Sequence, residues 1–232
     1  MPWAVRWKLW KVSQPPTKAT SFVSEPSHTA TTCHHPPMVS STPTIRFCSA
    51  CGSDRIEWRI PEGDNLPRFV CAACATIHYQ NPKVVVGCLP EWQDKVLLCK
   101  RAIEPRLGLW TLPAGFLENG ETVMAGAIRE TLEEADARVV MGDLYTMISL
   151  PQISQVYVMF RAALADLDFG PGPESLEVRL FREDEIPWEE LAFRTIGRTL
   201  RNYFLDRKLG SFPTRVSALE RKAPRPDLAG AA

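Results

Sequence analysis

The sequence has no excess charge of either sign, because its 27 Lys and Arg residues balance its 27 Asp and Glu residues. This balance excludes the general basic footprint of a nucleic-acid-binding protein and the charged surface that adheres to a membrane. The sequence also lacks an apolar run long enough to span a bilayer. We therefore expect no membrane partner, and the charge balance does not favour nucleic acid as a partner.

The two ends of the chain lack the apolar periodicity of a packed core. Residues 1–44 are rich in Ser, Thr and Pro, and Glu25 is their single acidic residue. This composition predicts a disordered leader. Residues 213–232 combine Pro with Arg and Lys and predict a loose, disordered tail.

The leader has two readings that the sequence leaves open. Trp3, Trp7 and Trp10 have helical spacing, which suggests an amphipathic organelle-targeting segment. The alternative is that the leader is translated upstream sequence and that the functional start lies nearer Met38. We expect a cytoplasmic protein, or an organellar one if the leader is a genuine presequence.

Four cysteines form two Cys-x-x-Cys pairs, Cys48 with Cys51 and Cys71 with Cys74. A short polar stretch separates the pairs, as in a zinc ribbon that holds a structural Zn²⁺ with four thiolates. Redox pairs or disulfides are the alternative, which the symmetric spacing and the lack of a secretory signal disfavour. We predict a zinc ribbon over residues 45–80, in which the ion supplies folding free energy to a segment too small for its own core.

Clustered carboxylates follow a glycine-containing loop. The loop leads into a helix that we expect to start at Thr122, whose hydroxyl caps the first turn, and to continue to about Ala135. At 3.6 residues per turn, Glu130, Glu133 and Glu134 share one face. The predicted inward stripe consists of Met124, Ala127, Ile128, Thr131 and Ala135.

These acids favour a metal site over a merely solvated helix face. Glu130 and Glu134 are like charges at i,i+4, a spacing that destabilises a bare helix, and Glu130 has no basic residue three or four positions away. Carboxylate oxygens placed in this way suit a hard cation such as Mg²⁺. The cluster therefore predicts a site that holds a divalent cation against phosphate.

The pattern resembles the Nudix box of the Nudix hydrolase superfamily. The residues in register with the box are Gly115, Glu121, Arg129, Glu130, Glu133 and Glu134. Two positions depart from it: Thr131 replaces an aliphatic residue, and Asp136 replaces the glycine that ends the helix. Asp tolerates the left-handed conformation less well than Gly, so this departure affects local stability more than chemistry.

The resemblance implies a fold over residues 81–212. Apolar strand patterns at 83–89 and 95–100 predict a hairpin, and two further strands are expected at 138–148 and 155–162. A final helix is expected at 188–205. Periodicity alone indicates an α+β protein, and the resemblance implies the Nudix α/β/α sandwich with a mixed sheet.

The resemblance also implies roles by position. The implied ligands of Mg²⁺ or Mn²⁺ are the carboxylates of Glu130, Glu133 and Glu134 and the backbone carbonyl of Ala114. Arg129 and Glu121 correspond to a pair that braces the loop against the helix. The implied reaction is hydrolysis of a nucleoside diphosphate linked to another group, by attack of water at phosphorus.

Residues outside the box are candidates for substrate binding. Arg101 and Arg106 are plausible phosphate clamps, against the alternative of ordinary solvated charge. Some Nudix relatives use a later acid as a ligand or base, and Glu177 aligns with it better than Glu174. Both acids are equally consistent with ordinary surface positions.

The stretch from Cys48 to about Arg207 resembles the zinc-ribbon Nudix enzymes, in particular the plant FAD/ADP-ribose pyrophosphatases. Residues 154–160 lack the Ser-Gln-Pro-Trp-Pro-Phe-Pro array of NADH pyrophosphatases. Tyr157 and Phe160 are candidates to stack on a flavin or adenine, with a core role as the alternative. We therefore expect FAD or ADP-ribose as the nucleotide substrate.

The sequence leaves two alternative functions. One is an NADH or NAD-cap pyrophosphatase, and the other is a catalytically silent ligand-sensing module, which the intact box carboxylates disfavour. The resemblance also allows a homodimer, because many relatives form their site between subunits.

Overall fold

The computed structural model describes residues 45–220, so the predicted leader at 1–44 and the last residues of the predicted tail lie outside the described residues. Within the described part, neither helix is long and apolar enough to cross a membrane.

Three short strands form a small antiparallel sheet in the order β1-β2-β3. They are β1 (Ile56–Arg59), β2 (Arg68–Cys71) and β3 (Ile77–His78). Trp58 in β1 faces Phe69 in β2, with ring centroids 4.6 Å apart. Few side chains of this sheet are buried, Val70 and Cys71 among them, so apolar packing alone supplies little stability here.

A larger mixed sheet of eight strands follows the small sheet along the chain. The strands are β4 (Lys83–Trp92), β5 (Lys95–Arg101), β6 (Trp110–Thr111), β7 (Ala114–Phe116), β8 (Val139–Leu150), β9 (Gln155–Leu164), β10 (Ser175–Phe181) and β11 (Arg215–Ala218). The order across the sheet is β10-β5-β4-β9-β8-β11, with β6 beside β5 and β7 beside β4. The pairs β4–β9 and β8–β11 are parallel. The predicted hairpin is present, and its turn is the dipeptide Gln93-Asp94.

The two helices, α1 (Val123–Ala135) and α2 (Arg194–Leu209), pack on opposite faces of this sheet. Successive residues of a strand point to opposite faces, so β4 serves both layers. Cys88 packs with Ala127 of α1, and Leu89 packs with Leu200 of α2. The predicted Nudix α/β/α sandwich with a mixed sheet is confirmed.

The buried face of α1 differs from the predicted stripe. Ala127, Thr131 and Ala135 are buried as expected, but Met124 and Ile128 are 44% and 41% exposed. Glu130 and Glu134 take the inward positions instead, and both are less than a tenth exposed. The prediction was wrong on this face because it assumed that apolar residues mark the inward side, whereas this helix turns its acids toward the sheet.

The C-terminal region also departs from expectation. The predicted final helix at 188–205 is a single 3-10 turn, Trp188–Glu190, followed by α2. Residues expected to be a loose tail form β11, which extends the sheet beside β8. Asp206 explains why, because its buried carboxylate pairs with Arg215 of β11 and accepts a 2.7 Å hydrogen bond from the Tyr145 hydroxyl.

Replacing Arg215 with Ala should lower the free energy of unfolding by about 3 kcal/mol at pH 7, because it leaves a buried carboxylate without its ionic partner. The Arg215 guanidinium holds the pKa of Asp206 below its ordinary value. A lowered folded-state pKa stabilises the protein above the unfolded pKa, and this contribution is lost as the pH falls through the folded value. The deficit of the variant should therefore shrink in acid, as measured by urea unfolding at a series of pH values.

Lys208→Ala is the matched control, because the Lys208–Glu183 ion pair is 2.8 Å long but exposed on both sides. Exposed pairs contribute little, so this variant should unfold almost as the wild type does. Equal losses from the two variants, or a deficit at Arg215 that does not change with pH, would contradict the role of Asp206.

Candidate active site

Local chemistry sets the ends of α1. The Thr122 hydroxyl accepts a 3.1 Å hydrogen bond from the backbone N–H of Ala125, as an N-cap does. Asp136 follows the helix in the left-handed region, at φ 44°, and its N–H donates to the carbonyl of Leu132. Both predicted ends of the box helix are confirmed.

The loop after β9 completes the C-terminus of α1. The backbone N–H of Gly170 donates to the carbonyl of Ala135 at 2.9 Å, and the backbone N–H of Gly172 donates to the backbone carbonyl of Glu134 at 3.1 Å. Carbonyls of the last turn have no partner within a helix, so these bonds satisfy groups that burial would otherwise penalise. They also fix the position of Glu174, two residues further on.

Glu134 is the most enclosed acid of the cluster. Its Oε2 accepts a 3.0 Å hydrogen bond from the backbone N–H of Ala114. The pKa of Glu134 is raised to about 8, chiefly by burial and also by the charges of Glu130 and Glu174. Burial also raises the pKa of Glu130. Burial disfavours the ionised form of both carboxyls, and a cation bound between them would stabilise that form.

Two glycines make room for these acids. A Cβ on Gly115 would lie 2.2 Å from Oε2 of Glu130, so only glycine lets this carboxylate rest against β7. A Cβ on Gly126 would lie 2.7 Å from Oε1 of Glu121. A glycine at 126 therefore leaves room for the Glu121 carboxylate beside α1.

Arg129 joins the loop to the helix. Its guanidinium contacts Glu121 at 2.8 Å, Glu130 at 2.8 Å and Glu133 at 2.9 Å, and it donates to the carbonyl of Phe116 at 3.2 Å. Hydrogen bonds from Arg129 lower the pKa of Glu121 to about 2, so this carboxylate stays ionised. The structure thus brings together the predicted brace of Arg129 and Glu121.

The same contacts bear on metal binding. Glu130 and Glu133 both bond to Arg129, so a cation between the box carboxylates would have to draw their oxygens away from the guanidinium. The donor set of Glu130, Glu133 and Glu134 still fits a divalent ion, because carboxylate oxygens are the ligands that hard cations prefer. Coordination by these three and by the Ala114 carbonyl remains a prediction.

The loop acid at the cluster is Glu174, the position that the sequence disfavoured. Its charge contributes to the raised pKa of both Glu130 and Glu134. Glu177 is exposed in β10, where it pairs with Lys100 beyond a register shift. The preference for Glu177 came from its alignment with the later acid of Nudix relatives, and alignment along the chain does not show which acid the loop brings near the box.

The two predicted phosphate clamps have different surroundings. The guanidinium of Arg101 lies 5.3 Å from the ring centroid of Phe193, and its charge opposes the rise in the pKa of Glu134. The charge of Arg101 therefore acts on the carboxylate cluster, while its Nε donates a 2.9 Å hydrogen bond to the carbonyl of Pro105. Arg106 is exposed in the following loop at φ 72°, and its phosphate role stays a prediction.

The structure places Tyr157 and Phe160 in the core. Phe160 is 5% exposed in the layer under α1, and Tyr157 is 8% exposed on the other face with Val85 and Ile148. Strand residues three apart point to opposite faces, so the two rings cannot stack on one ligand. The burial of both rings favours the core role that the sequence left open, and a stacking role for either ring alone stays a prediction.

The four cysteines of the small sheet converge. Sγ of Cys48 lies 3.6 Å from that of Cys74, Sγ of Cys51 lies 3.7 Å from that of Cys71, and all four lie within 4.8 Å of one another. Hydrogen bonds from Thr76 lower the pKa of Cys74 to about 6, which favours a thiolate. Among residues 45–220 this is the one group of three or more His, Cys, Asp or Glu residues whose ligand atoms lie this close together. Four thiolates suit a structural zinc ion.

Cys71→Ser should abolish bound zinc and unfold residues 45–80, because this segment has almost no apolar core of its own. Zinc content by atomic absorption and amide hydrogen exchange would measure both effects. Cys88→Ala is the control, since Cys88 is buried in the large sheet and donates to the carbonyl of Ala127 at 3.4 Å. Retention of zinc and of exchange protection in Cys71→Ser would contradict the assignment.

This combination of fold and site defines a Nudix hydrolase. The profile of the NUDIX domain matches residues 81–202, and the profile described as Nudix N-terminal, a zinc ribbon, matches residues 46–80. The chain belongs to the Nudix family.

Individual relatives differ in what their names state. A NUDIX hydrolase from Nitrosomonas europaea, known from its crystal structure, is 60% identical, covers 76% of this chain and all of that one, and has a TM-score of 0.74. The NAD-capped RNA hydrolase NudC of Stutzerimonas stutzeri is 30% identical over 71% of this chain and 58% of its own length. The ADP-ribose pyrophosphatase of Methanocaldococcus jannaschii is 30% identical over 50% of this chain and 69% of its own. This chain thus spans less than two thirds of the NudC protein.

Proposed function

We propose that this enzyme uses Mg²⁺ or Mn²⁺ to hydrolyse the pyrophosphate bond of ADP-ribose and of NAD-type dinucleotides, which contain an ADP-ribose unit. We expect these substrates to be cleaved with higher kcat/KM than FAD. The observation that carries the chemistry is the enclosed pair Glu130 and Glu134, whose pKa values burial raises. Such a pair gains most from a bound cation and, through it, from a diphosphate.

The side chains of this chain have distinct parts in the proposed reaction. A divalent cation held by the box carboxylates would neutralise phosphate oxygens and lower the pKa of the attacking water. Ala114 keeps Glu134 in place through its N–H, and Arg129 keeps Glu121 and the loop in register with α1. Glu174 faces the cluster from the opposite loop, so it is the candidate to accept the proton of the water.

The order of substrates differs from the one that the sequence suggested. FAD was expected together with ADP-ribose because residues 154–160 lack the NADH-type array. Of the two relatives described above at 30% identity, one is named for NAD-capped RNA and the other for ADP-ribose. NAD and ADP-ribose share the ADP-ribose unit, so a site that reads this unit and its diphosphate would accept both.

A second candidate is the NAD-linked 5′ end of an RNA, favoured by the exposed aromatic surface of the small sheet. Trp58 and Tyr79 are 57% and 60% exposed, and Arg68 lies 5.2 Å from the Tyr79 ring. Exposed rings beside arginine suit the stacking of unpaired bases.

Product analysis by chromatography tests the proposal. ADP-ribose, NADH, FAD and NAD-capped RNA would each be incubated with the protein and either Mg²⁺ or Mn²⁺. We expect AMP from ADP-ribose and NADH at higher kcat/KM than from FAD. Preferred cleavage of FAD would reverse the order of substrates, and a silent panel would refute the proposed reaction.

A further inference from the structure

The N-terminus of α2 has no side-chain cap. Phe193 occupies the N-cap position in an extended conformation, and its side chain offers no hydrogen-bond acceptor. The first N–H groups of a helix have no partner within it and carry the positive end of the helix dipole. In α1 the Thr122 hydroxyl supplies this acceptor, so the difference between the two helices leaves α2 able to receive an external one.

Thr195, in the first turn of α2, adds a buried hydroxyl. Its residue is 2% exposed, and Oγ1 has no partner at hydrogen-bond geometry although the Tyr157 phenol lies beside it. Buried hydroxyls are nearly always paired, because an unpaired one has lost water without replacement. A bound ligand is one means of satisfying it.

The same end of α2 is anchored next to the box. The N–H of Ala192 donates to the carbonyl of Trp110 at 2.8 Å, and β6, which contains Trp110, leads directly to Ala114. Ala114 contacts Glu134 through its N–H and packs against the cluster that contains Tyr157.

Arg101 links the two regions electrostatically. Its guanidinium lies over Phe193, and its charge acts on the pKa of both Glu134 and Tyr157. One cation therefore acts on Glu134 of the box and on Tyr157, whose phenol lies beside Thr195.

We propose that the N-terminus of α2, the hydroxyls of Thr195 and Tyr157 and the Arg101 guanidinium form a subsite for the phosphate of the substrate that is not held at the box carboxylates. This subsite rests on the proposed function and extends it. Helix N–H groups, hydroxyls and a guanidinium are all donors, a set that matches phosphate oxygens. Thr195 and Tyr157 are buried, and the half-buried Arg101 donates from Nε to the carbonyl of Pro105 at 2.9 Å. Binding therefore requires Arg101 to leave Phe193 and Pro105 and turn toward the phosphate.

The substitution Thr195→Val keeps the shape of the side chain and removes the hydroxyl. If the subsite exists, this variant should lose affinity for phosphate without losing thermal stability. The variant should melt at the same or a higher temperature than the wild type, because it loses an unpaired buried polar group. It should nevertheless bind inorganic pyrophosphate about tenfold more weakly in the presence of Mg²⁺, since it loses a hydrogen bond to a charged group. Titration calorimetry measures the affinity.

Two further variants separate the hydroxyl from packing. Thr195→Ser keeps the hydroxyl and loses the methyl group, so it should bind pyrophosphate as the wild type does even if it melts lower. Thr199→Val, one turn later, removes a hydroxyl that lies 3.1 Å from that of Thr146, and it should lower stability without changing affinity. Equal affinity in wild type and Thr195→Val, or no binding by the wild type, would overturn the subsite.

Kinetics distinguish this proposal from the proposed function. With NADH or ADP-ribose, Thr195→Val should raise KM about tenfold at nearly unchanged kcat, because the contact acts equally before and during the reaction. Cleavage that is insensitive to Thr195→Val would refute the subsite and leave the function intact. Weakened pyrophosphate binding in a protein that cleaves no dinucleotide would refute the function and retain the subsite.

Discussion

Glu134→Gln is expected to lower kcat by a factor of about 10³, which corresponds to about 4 kcal/mol of transition-state stabilisation. The amide keeps the size of the side chain and an oxygen for the Ala114 N–H, but it lacks the negative charge that attracts a cation. The same change removes a buried carboxylate whose ionisation is unfavourable, with its pKa raised to about 8. The metal-free variant should therefore melt at or above the wild-type temperature at pH 8.5.

Rates with saturating Mg²⁺ and melting curves in EDTA measure the two effects separately. Glu177→Gln is the matched control, because this acid lies exposed in β10 and should leave the rate unchanged. If Glu174 accepts the proton of the water, the rate of Glu174→Gln should lie between the rates of Glu134→Gln and Glu177→Gln. Full activity of Glu134→Gln, or a loss explained by unfolding, would remove Glu134 from the proposed mechanism.

Gly172→Ala is expected to destabilise the protein by about 3 to 4 kcal/mol and to lower activity as well. A Cβ at this position would lie 1.8 Å from the carbonyl oxygen of Glu133 and 2.8 Å from its carbonyl carbon. These are backbone atoms of α1, so no side-chain rotation relieves the overlap. The loop must withdraw, which breaks the bond from Gly172 to the carbonyl of Glu134 and moves Glu174 away from the cluster.

Gly170→Ala provides the control within the same loop. Gly170 also donates to α1, at the carbonyl of Ala135, but an added Cβ would meet no atom within 4 Å. This variant should unfold in urea at nearly the wild-type concentration and retain its rate. If the two alanine variants behaved alike, the close approach at Gly172 would not be what positions the loop.

Much of the candidate site was predictable because its pattern is local. The Thr122 cap, the end of α1 at Ala135 and the acids within one helix depend on residues a few positions apart. The positions of Glu174 and Thr195 were not predictable in this way. Each lies in a different element from the box, so its surroundings depend on how the chain packs.

The error on the buried face of α1 has the same origin. Helical periodicity groups Met124 and Ile128 with the buried residues, but the choice of the inward face depends on what the helix packs against. Alternation along β9, by contrast, already implied that Tyr157 and Phe160 face opposite ways.

The sequence by itself determined the Nudix family, the four-cysteine cluster and the bounds of the box helix, because residue type and spacing along the chain carry that information. Only the tertiary structure decided that β11 joins the sheet through Asp206 and Arg215, that the charge of Glu174 acts on the box carboxylates, and that Thr195 in the first turn of α2 lies beside Tyr157. These features depend on contacts between residues far apart in the chain, and one sequence does not specify such contacts by local pattern.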